Sequence, residues 1–369
     1  MNSNQIMLNE FPRIFLRDNA KIQYGYTQSA SKKKIGPKFL RITDIQSWPI
    51  DWDNVPYCKI SDKDYKKYKL ESGDIVIART GASTGSSAIY LEDFPEAVFA
   101  SYLIRIRVNE RFNSEFVYYF LQSPEYKNYI GSIISGSAQP NANAKQLTGL
   151  SIPCPSIKIQ NKIVETLISI DKKIELNQKM NQTLEKIGQT TFKSWFVDFE
   201  GVKEFEKSEI GKIPKGWKVK KISEFCDTYL GGTPSTKIKE YWTNGTINWI
   251  SSKEINKPRV IEGTKLITKE ALENSATKMM PKRTVLIAIT GATMGKISLL
   301  ETDACANQSV VGIFSKSYIG QEYLYYILNN RKNDLTSSAT GSAQQHINKG
   351  NVEDFKVIYP FEEIIKKFN

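Results

Sequence analysis

The stretch with the strongest claim to chemistry in this 369-residue chain is Ile289–Ser298, ITGATMGKIS. A glycine, three residues, then Gly-Lys and a hydroxyl two places on resemble a loop that cradles a nucleotide phosphate. Three features exclude that reading. A Walker-type loop has four residues between its glycines, and Gly291 and Gly295 enclose three. Such a loop also opens a helix whose N-terminus faces the phosphate, whereas KISLLETD is short, branched and strand-like. Finally, a second stretch, ARTGASTGSSA from Ala78, has Ser86 where this one has Lys296. What the two share is Gly-Ala-x-x-Gly between apolar runs, a strand–turn–strand element.

Other catalytic chemistries are equally thin. His346 is the single histidine, so a Ser–His or Cys–His nucleophilic site would have to use it. Cys58, Cys154, Cys226 and Cys305 lie far apart, without zinc spacing or a disulfide framework. They read as reduced thiols of a cytoplasmic protein. There is no Asn-Pro-Pro-aromatic stretch of the amino-methyltransferase kind and no DEAD-type box. No run of about 18 apolar residues predicts a membrane span, and the start, MNSNQIMLNEFPRIF, lacks a secretion signal.

The elements that carry these residues are built twice. ARTGASTGSSAIYLED at Ala78 matches AITGATMGKISLLETD at Ala288, offset 210. YGYTQS matches LGGTPS, KFLRITDI matches INWISSKEI, and EFVYYFLQS matches EYLYYILNN. SGSAQPNANAKQLTGLSIPCP matches TGSAQQHINKGNVEDFKVIYP. Five matches in one order at nearly one offset define two homologous copies. Each contains short strands, an alternating run ending in Gly-Ala, a second apolar run, an amphipathic helix and a closing strand into proline. The expected fold is α+β: two homologous domains with twisted, mostly antiparallel sheets, separated by a long coiled-coil-type helix. The expected boundaries are 1–155, a helical spacer 156–201, an exposed linker 202–216, a second domain 217–360, and the start of a further helix at 361–369.

In the spacer, a helix is expected from about Ile157 to Phe192. Ile163, Leu167, Ile170 and Ile174 alternate by four and three, the period of a coiled-coil seam, and the register continues through Asn177 and Asn181 to Leu184. Seam asparagines fix register and partner at some loss of stability. The alternative is a helix packed on its own domain. Trp195, Phe196 and Phe199 are too apolar for an open linker; they read either as packing against the flanking domains or as a docking surface.

A net charge of +12 and pI near 9.2, with no basic tail, suggest a polyanionic partner met by folded parts. Base and phosphate contacts need Arg, Lys, Asn, Gln, Ser or Thr on loops. The first copy offers Lys32, Lys33, Lys34, Arg41, Arg79, Ser137, Gln139, Asn141 and Asn143. The second offers Lys237, Lys239, Ser252, Lys253, Lys278, Lys282, Arg283, Lys296, Gln344, Gln345 and His346. The Gly-Ser-Ala-Gln loops recur in both copies, yet PNANAK then diverges from QHINKG. A common frame with variable tips suits two domains that read different sequences; a purely structural turn is the other reading.

The doubled domain, the segment KIELNQKMNQTLEKIGQTTFKSWFVDFE from Lys173, and the restart GKIPKGWKVKKISEF from Gly211 together resemble the specificity subunit of type I restriction–modification systems. The resemblance covers essentially the whole chain. It implies two target-recognition domains, each reading one half of a split sequence in double-stranded DNA. It further implies a helix that sets their spacing and docks methylation subunits, with restriction subunits joining through the complex. On this resemblance the chain is non-catalytic and binds no cofactor; S-adenosylmethionine, ATP and Mg²⁺ belong to partner subunits. The family's second long helical region is matched here only by FEEIIKKFN. That leaves the seam open to self-pairing with another copy, or marks a form that cannot hold two methylation subunits. A P-loop nucleotidase and a DNA-binding scaffold outside restriction are the competing readings.

Overall fold

The computed structural model describes residues 11–46, 48–134, 140–337 and 346–368. Contacts divide the chain into two units, residues 1–179 and 180–369. The strands of the first are β1 (Arg13–Phe15), β2 (Ala20–Tyr24), β3 (Lys38–Leu40), β4 (Ile75–Ala78), β5 (Ser87–Ile89), β6 (Ala97–Phe99), β7 (Leu103–Val108) and β8 (Ser151–Pro153). Those of the second are β9 (Phe205–Ser208), β10 (Gly211–Pro214), β11 (Lys218–Lys221), β12 (Cys226–Leu230), β13 (Ile247–Ile250), β14 (Arg259–Val260), β15 (Lys265–Ile267), β16 (Val285–Ala288), β17 (Ile297–Leu300), β18 (Ala304–Ala306), β19 (Val310–Ser315) and β20 (Lys356–Tyr359).

The duplication is visible strand by strand. The main sheet runs β2-β7-β4-β5 in the first unit and β12-β19-β16-β17-β14 in the second. All pairings in it are antiparallel except β14 with β17. A small sheet repeats as a parallel pair, β3 with β6 and β13 with β18. β1 with β8, and β11 with β20, close each unit. The central strands IVIA and VLIA are apolar, rich in β-branched residues and buried throughout, as strands covered on both faces must be. Helices Ser114–Leu121 and Gln321–Asn330 cover matching faces. The first is capped by Asn113, whose side chain accepts from the backbone N–H groups of Glu115 and Phe116.

After β4 and β16 the chain makes a short 3₁₀ turn, Gly81–Ser83 and Gly291–Thr293. Gly81, Gly85, Gly291 and Gly295 have φ of 74°, 90°, 65° and 78°, the left-handed region open to glycine. Ile297–Leu300 is then a strand, which removes the helix a phosphate loop would need.

The long helix runs from Ile157 to Phe196, four residues past its expected end, and is about 60 Å long at 1.5 Å per residue. Its first turns belong to the first unit's core. Gln160, fully buried, donates to the carbonyls of Arg111 and Pro155 at 2.9 Å and accepts from the Asn113 N–H at 2.8 Å. Val164 packs in the same core. Its last turn carries Phe192 and Phe196 into the core of the second unit.

Two readings of the sequence meet the structure there. Phe196 is 1% exposed, 4.9 Å from the Tyr323 ring centroid, and Trp195 and Phe199 pack against the same cluster. The packing reading therefore holds for Phe196, which is enclosed in the second unit's core, while Trp195 and Phe199 pack on that core and stay half-exposed. The lysine-rich segment 202–216, read as an open linker, contains the antiparallel hairpin β9–β10. Ile213 and neighbouring Trp217 anchor it in the core, two apolar residues hidden among lysines. At the other end of this unit, Ile365 and Phe368 of helix Glu362–Phe368 pack on the same cluster.

A buried charge braces the first sheet. Asp74, 1% exposed at its side chain, takes a two-pronged contact from Arg107 at 2.7 and 2.8 Å and lies 3.6 Å from Arg105. Removing one partner of such a pair strands the other charge. Asp74→Ala is therefore expected to cost about 3 kcal/mol of stability, read as a lower urea midpoint at unchanged slope.

Burial also makes stability depend on alkaline pH. It pushes the Cys58 thiol up to about 11 and the Cys226 thiol to about 12. Tyr118, Tyr325 and Tyr326 are likewise raised to about 12, chiefly by burial. The folded state holds these protons more tightly than the unfolded chain, whose thiols titrate near 9.0. The stabilisation is complete below pH 9 and is lost as pH rises through 12. Thermal unfolding at stepped pH is expected to show a melting temperature that falls steeply across that window.

Candidate nucleic-acid interface

In each unit one rim combines the end of a central strand, the 3₁₀ turn and a returning segment. In the first, Thr80 and Asn141 form an isolated antiparallel bridge. The Gly81 N–H donates to the Pro140 carbonyl and the Ala142 N–H to that of Arg79, both at 2.9 Å. In the second, Thr290 bridges His346, and the Ile347 N–H donates to the Ile289 carbonyl at 3.1 Å. Both returning segments end in an asparagine that starts a short helix. Asn143 and Asn348 accept from the N–H groups of Gln146 and Asn351 at 3.0 and 2.9 Å. Asn143 is thus part of the frame.

The side chains on this common frame differ. Asn141 is replaced by His346, exposed Tyr24 by exposed Leu230, and Arg79 by buried Ile289. Arg79 is the most distinctive group. Its guanidinium lies 5.1 Å from the Tyr24 ring centroid, and its Nε is buried without a hydrogen-bond partner. An orphaned buried donor is costly, and an incoming acceptor would relieve it. Beside it a concavity of about 430 Å³ is lined by Ile42, Thr80, Gly81, Tyr102, Pro140 and Asn141. Tyr102 is 56% exposed. Sequence reasoning missed Tyr24, Thr80 and Tyr102, because a tyrosine in FASYLIRI looks the same as a core aromatic.

The other candidates scatter. Ser137, Gln139, Gln344 and Gln345 lie outside the described residues. Lys32, Lys33 and Lys34 are exposed between the Ser31–Tyr57 bridge and β3. Arg41 is engaged by Asp44 at 2.8 Å, and that contact raises its pKa. Ser252 and Lys253 sit in the 3₁₀ turn Ser252–Glu254, the counterpart of Ile42 and Thr43 at the first rim. Lys237 and Lys239 are exposed on the 3₁₀ turn and loop before Trp242, and Lys278 is exposed just before Met280. Lys282 and Arg283 stand at the end of β16 away from the rim, with Arg283 paired to Glu322 and within 4.0 Å of Glu301. These two are not brought to the same surface as Thr290 and His346.

Along the long helix, Ile163 and Leu167 are partly buried, whereas Ile170, Ile174, Asn177, Asn181 and Leu184 are exposed. Leu176, Met180 and Ile187, outside the expected seam, are exposed as well. Among the described residues, no helix is long and apolar enough to cross a membrane.

Comparison with known proteins fits this doubled architecture. The family model for the type I restriction modification DNA specificity domain matches residues 13–186 and 214–367. The type I restriction enzyme MjaIX specificity subunit of Methanocaldococcus jannaschii is 28% identical over 264 residues, 69% of this chain and 61% of its own length. The HindI specificity subunit of Haemophilus influenzae is 24% identical over 384 residues, covering 85% and 83%. The crystal structure of a type I restriction-modification S subunit from M. genitalium shares the fold. Its TM-score is 0.59 at 14% identity, over 98% of this chain and 88% of that one. The match to MjaIX thus spans less than two thirds of that relative. With the specificity-domain model matched once in each repeat, over most of the sequence, the chain belongs to the type I restriction modification DNA specificity domain family.

Proposed function

We propose that this chain gives a type I restriction–modification complex its DNA sequence specificity, each unit reading one half of a bipartite duplex target. The observation that carries the reading is the repeated rim. One backbone frame, fixed by matching bridges and asparagine caps, presents different side chains in the two units. Direct readout needs polar side chains held rigidly at a groove, and the net charge of +12 supplies attraction to phosphates. In this reading the long helix sets the spacing of the halves and docks methylation subunits, and restriction subunits join through the assembly. S-adenosylmethionine, ATP and Mg²⁺ are then held by those partners, and this chain positions DNA without performing the reaction.

The exposed apolar residues between Ile170 and Ile187 support a second use of the helix, pairing with another copy. Selection of bound duplexes from a random pool tests the main reading. Two conserved half-sequences at one fixed separation are expected; a pool without sequence enrichment contradicts it.

A further inference from the structure

The second unit contains a basic concavity that the rim does not use. It measures about 390 Å³, and its lining includes Lys257, Lys296 and Lys332 with Asn256, Asn329 and Thr336, and no carboxylate. The three lysines come from three separate elements whose backbones are fixed. The Lys257 carbonyl accepts from the hydroxyl of buried Ser298 at 2.6 Å. Lys296 is held at both ends: its N–H donates to the Thr293 carbonyl, and its carbonyl accepts from the Ala288 N–H, both at 3.0 Å. Lys332 opens the helix Lys332–Ser337. Glu301, the acid closest in sequence to Lys296, is taken by Arg259, Lys282 and Arg283.

The concavity flanks the second rim, because the turn bearing Ser252 and Lys253 runs into Asn256, and the Gly291–Thr293 turn runs into Lys296. The first unit lacks two of these three lysines. At the repeat offsets of 210 and 207, Lys296 is matched by Ser86 and Lys332 by Glu125, which pairs with Arg13.

We infer that this concavity is an oxyanion site, and that it grips one backbone phosphate of the duplex read by the second unit. Three lysines around one concavity, with amide and hydroxyl donors beside them, match a phosphodiester and carry no base information. Binding is then unequal: the second unit holds the backbone more firmly, and the first depends more on its rim. The inference rests on the DNA-binding reading.

The test measures affinity of the full chain for a mixed-sequence DNA duplex across a salt series. K257Q/K296Q/K332Q is expected to lower affinity on the order of tenfold and to flatten the slope of log K against log salt by about one. K257R/K296R/K332R is expected to retain both. K203Q/K207Q/K212Q, which removes equal charge from exposed positions in and beside the β9–β10 hairpin, is expected to leave the slope unchanged. All these side chains are exposed, so melting temperatures should stay at the wild-type value. A glutamine triple with the wild-type slope, or a hairpin control that loses as much, overturns the site while leaving the DNA reading intact. A wild-type chain with no affinity for duplex overturns both. Saturable micromolar binding of ATP that the glutamine triple abolishes would overturn the backbone assignment in favour of a free nucleotide.

Discussion

Inserting seven residues into the long helix is expected to widen the gap between the two half-sites by about three base pairs and leave each half-sequence unchanged. Seven residues add roughly 10.5 Å at 1.5 Å per residue, and B-DNA rises about 3.4 Å per base pair. The insertion belongs between Leu176 and Leu184, where every residue is exposed and no core is disturbed. The anchors on either side, Gln160 and Val164 at one end and Phe192 and Phe196 at the other, stay in place. Two turns take about 7.2 residues, so seven nearly restore the helix face, whereas four add about 6 Å with a rotation near 40°. The four-residue insertion is expected to shift spacing by about two base pairs. Duplex selection with each variant reads both effects. An unaltered spacing removes the helix from the role of ruler.

The second large effect concerns the first rim. Arg79→Ala is expected to cost 1 to 3 kcal/mol of binding, about five- to 150-fold, and to relax sequence preference in one half-site only. Its Nε lacks a partner in the unbound chain, so loss of the side chain sacrifices little internal bonding. Asn141→Ala should affect the same half, and His346→Ala only the other, because the two side chains hold corresponding places on separate frames. Asn143→Ala makes the contrast. It removes a helix cap, costs about 1 kcal/mol of stability, and should leave preference at both halves intact. Arg79→Ala that weakens both halves equally would make Arg79 a general phosphate contact.

Much of this architecture is legible in the sequence because duplication prints each element twice. The Gly-Ala-x-x-Gly turns need glycine at positive φ, the apolar runs beside them need to be strands, and the structure has both. The helix was readable from its heptad spacing, but its end was not: Trp195 and Phe196 look like an exposed patch until residues distant in sequence are seen packing on them, Phe368 on Trp195 and Tyr323 on Phe196. The hairpin at 205–214 was masked by lysines whose polarity imitates a linker. At the candidate interface, charge alone nominated too many residues. Arg41 has its acid three residues away, but Arg283 finds Glu322 across 39 positions, a pairing no local pattern shows. The orphaned Nε of Arg79 is a property of burial, and so has no sequence signal.

The central claim is that two frames in one chain read two halves of one DNA target. Its most direct test is to co-express the chain with methylation subunits in a host free of other modification and map every modified base in the genome. The account predicts modification at a bipartite sequence with one constant spacer, and an Arg79→Ala methylome degenerate in one half alone. Modification without sequence preference, or confined to a single uninterrupted sequence that Arg79→Ala and His346→Ala alter alike, would contradict it.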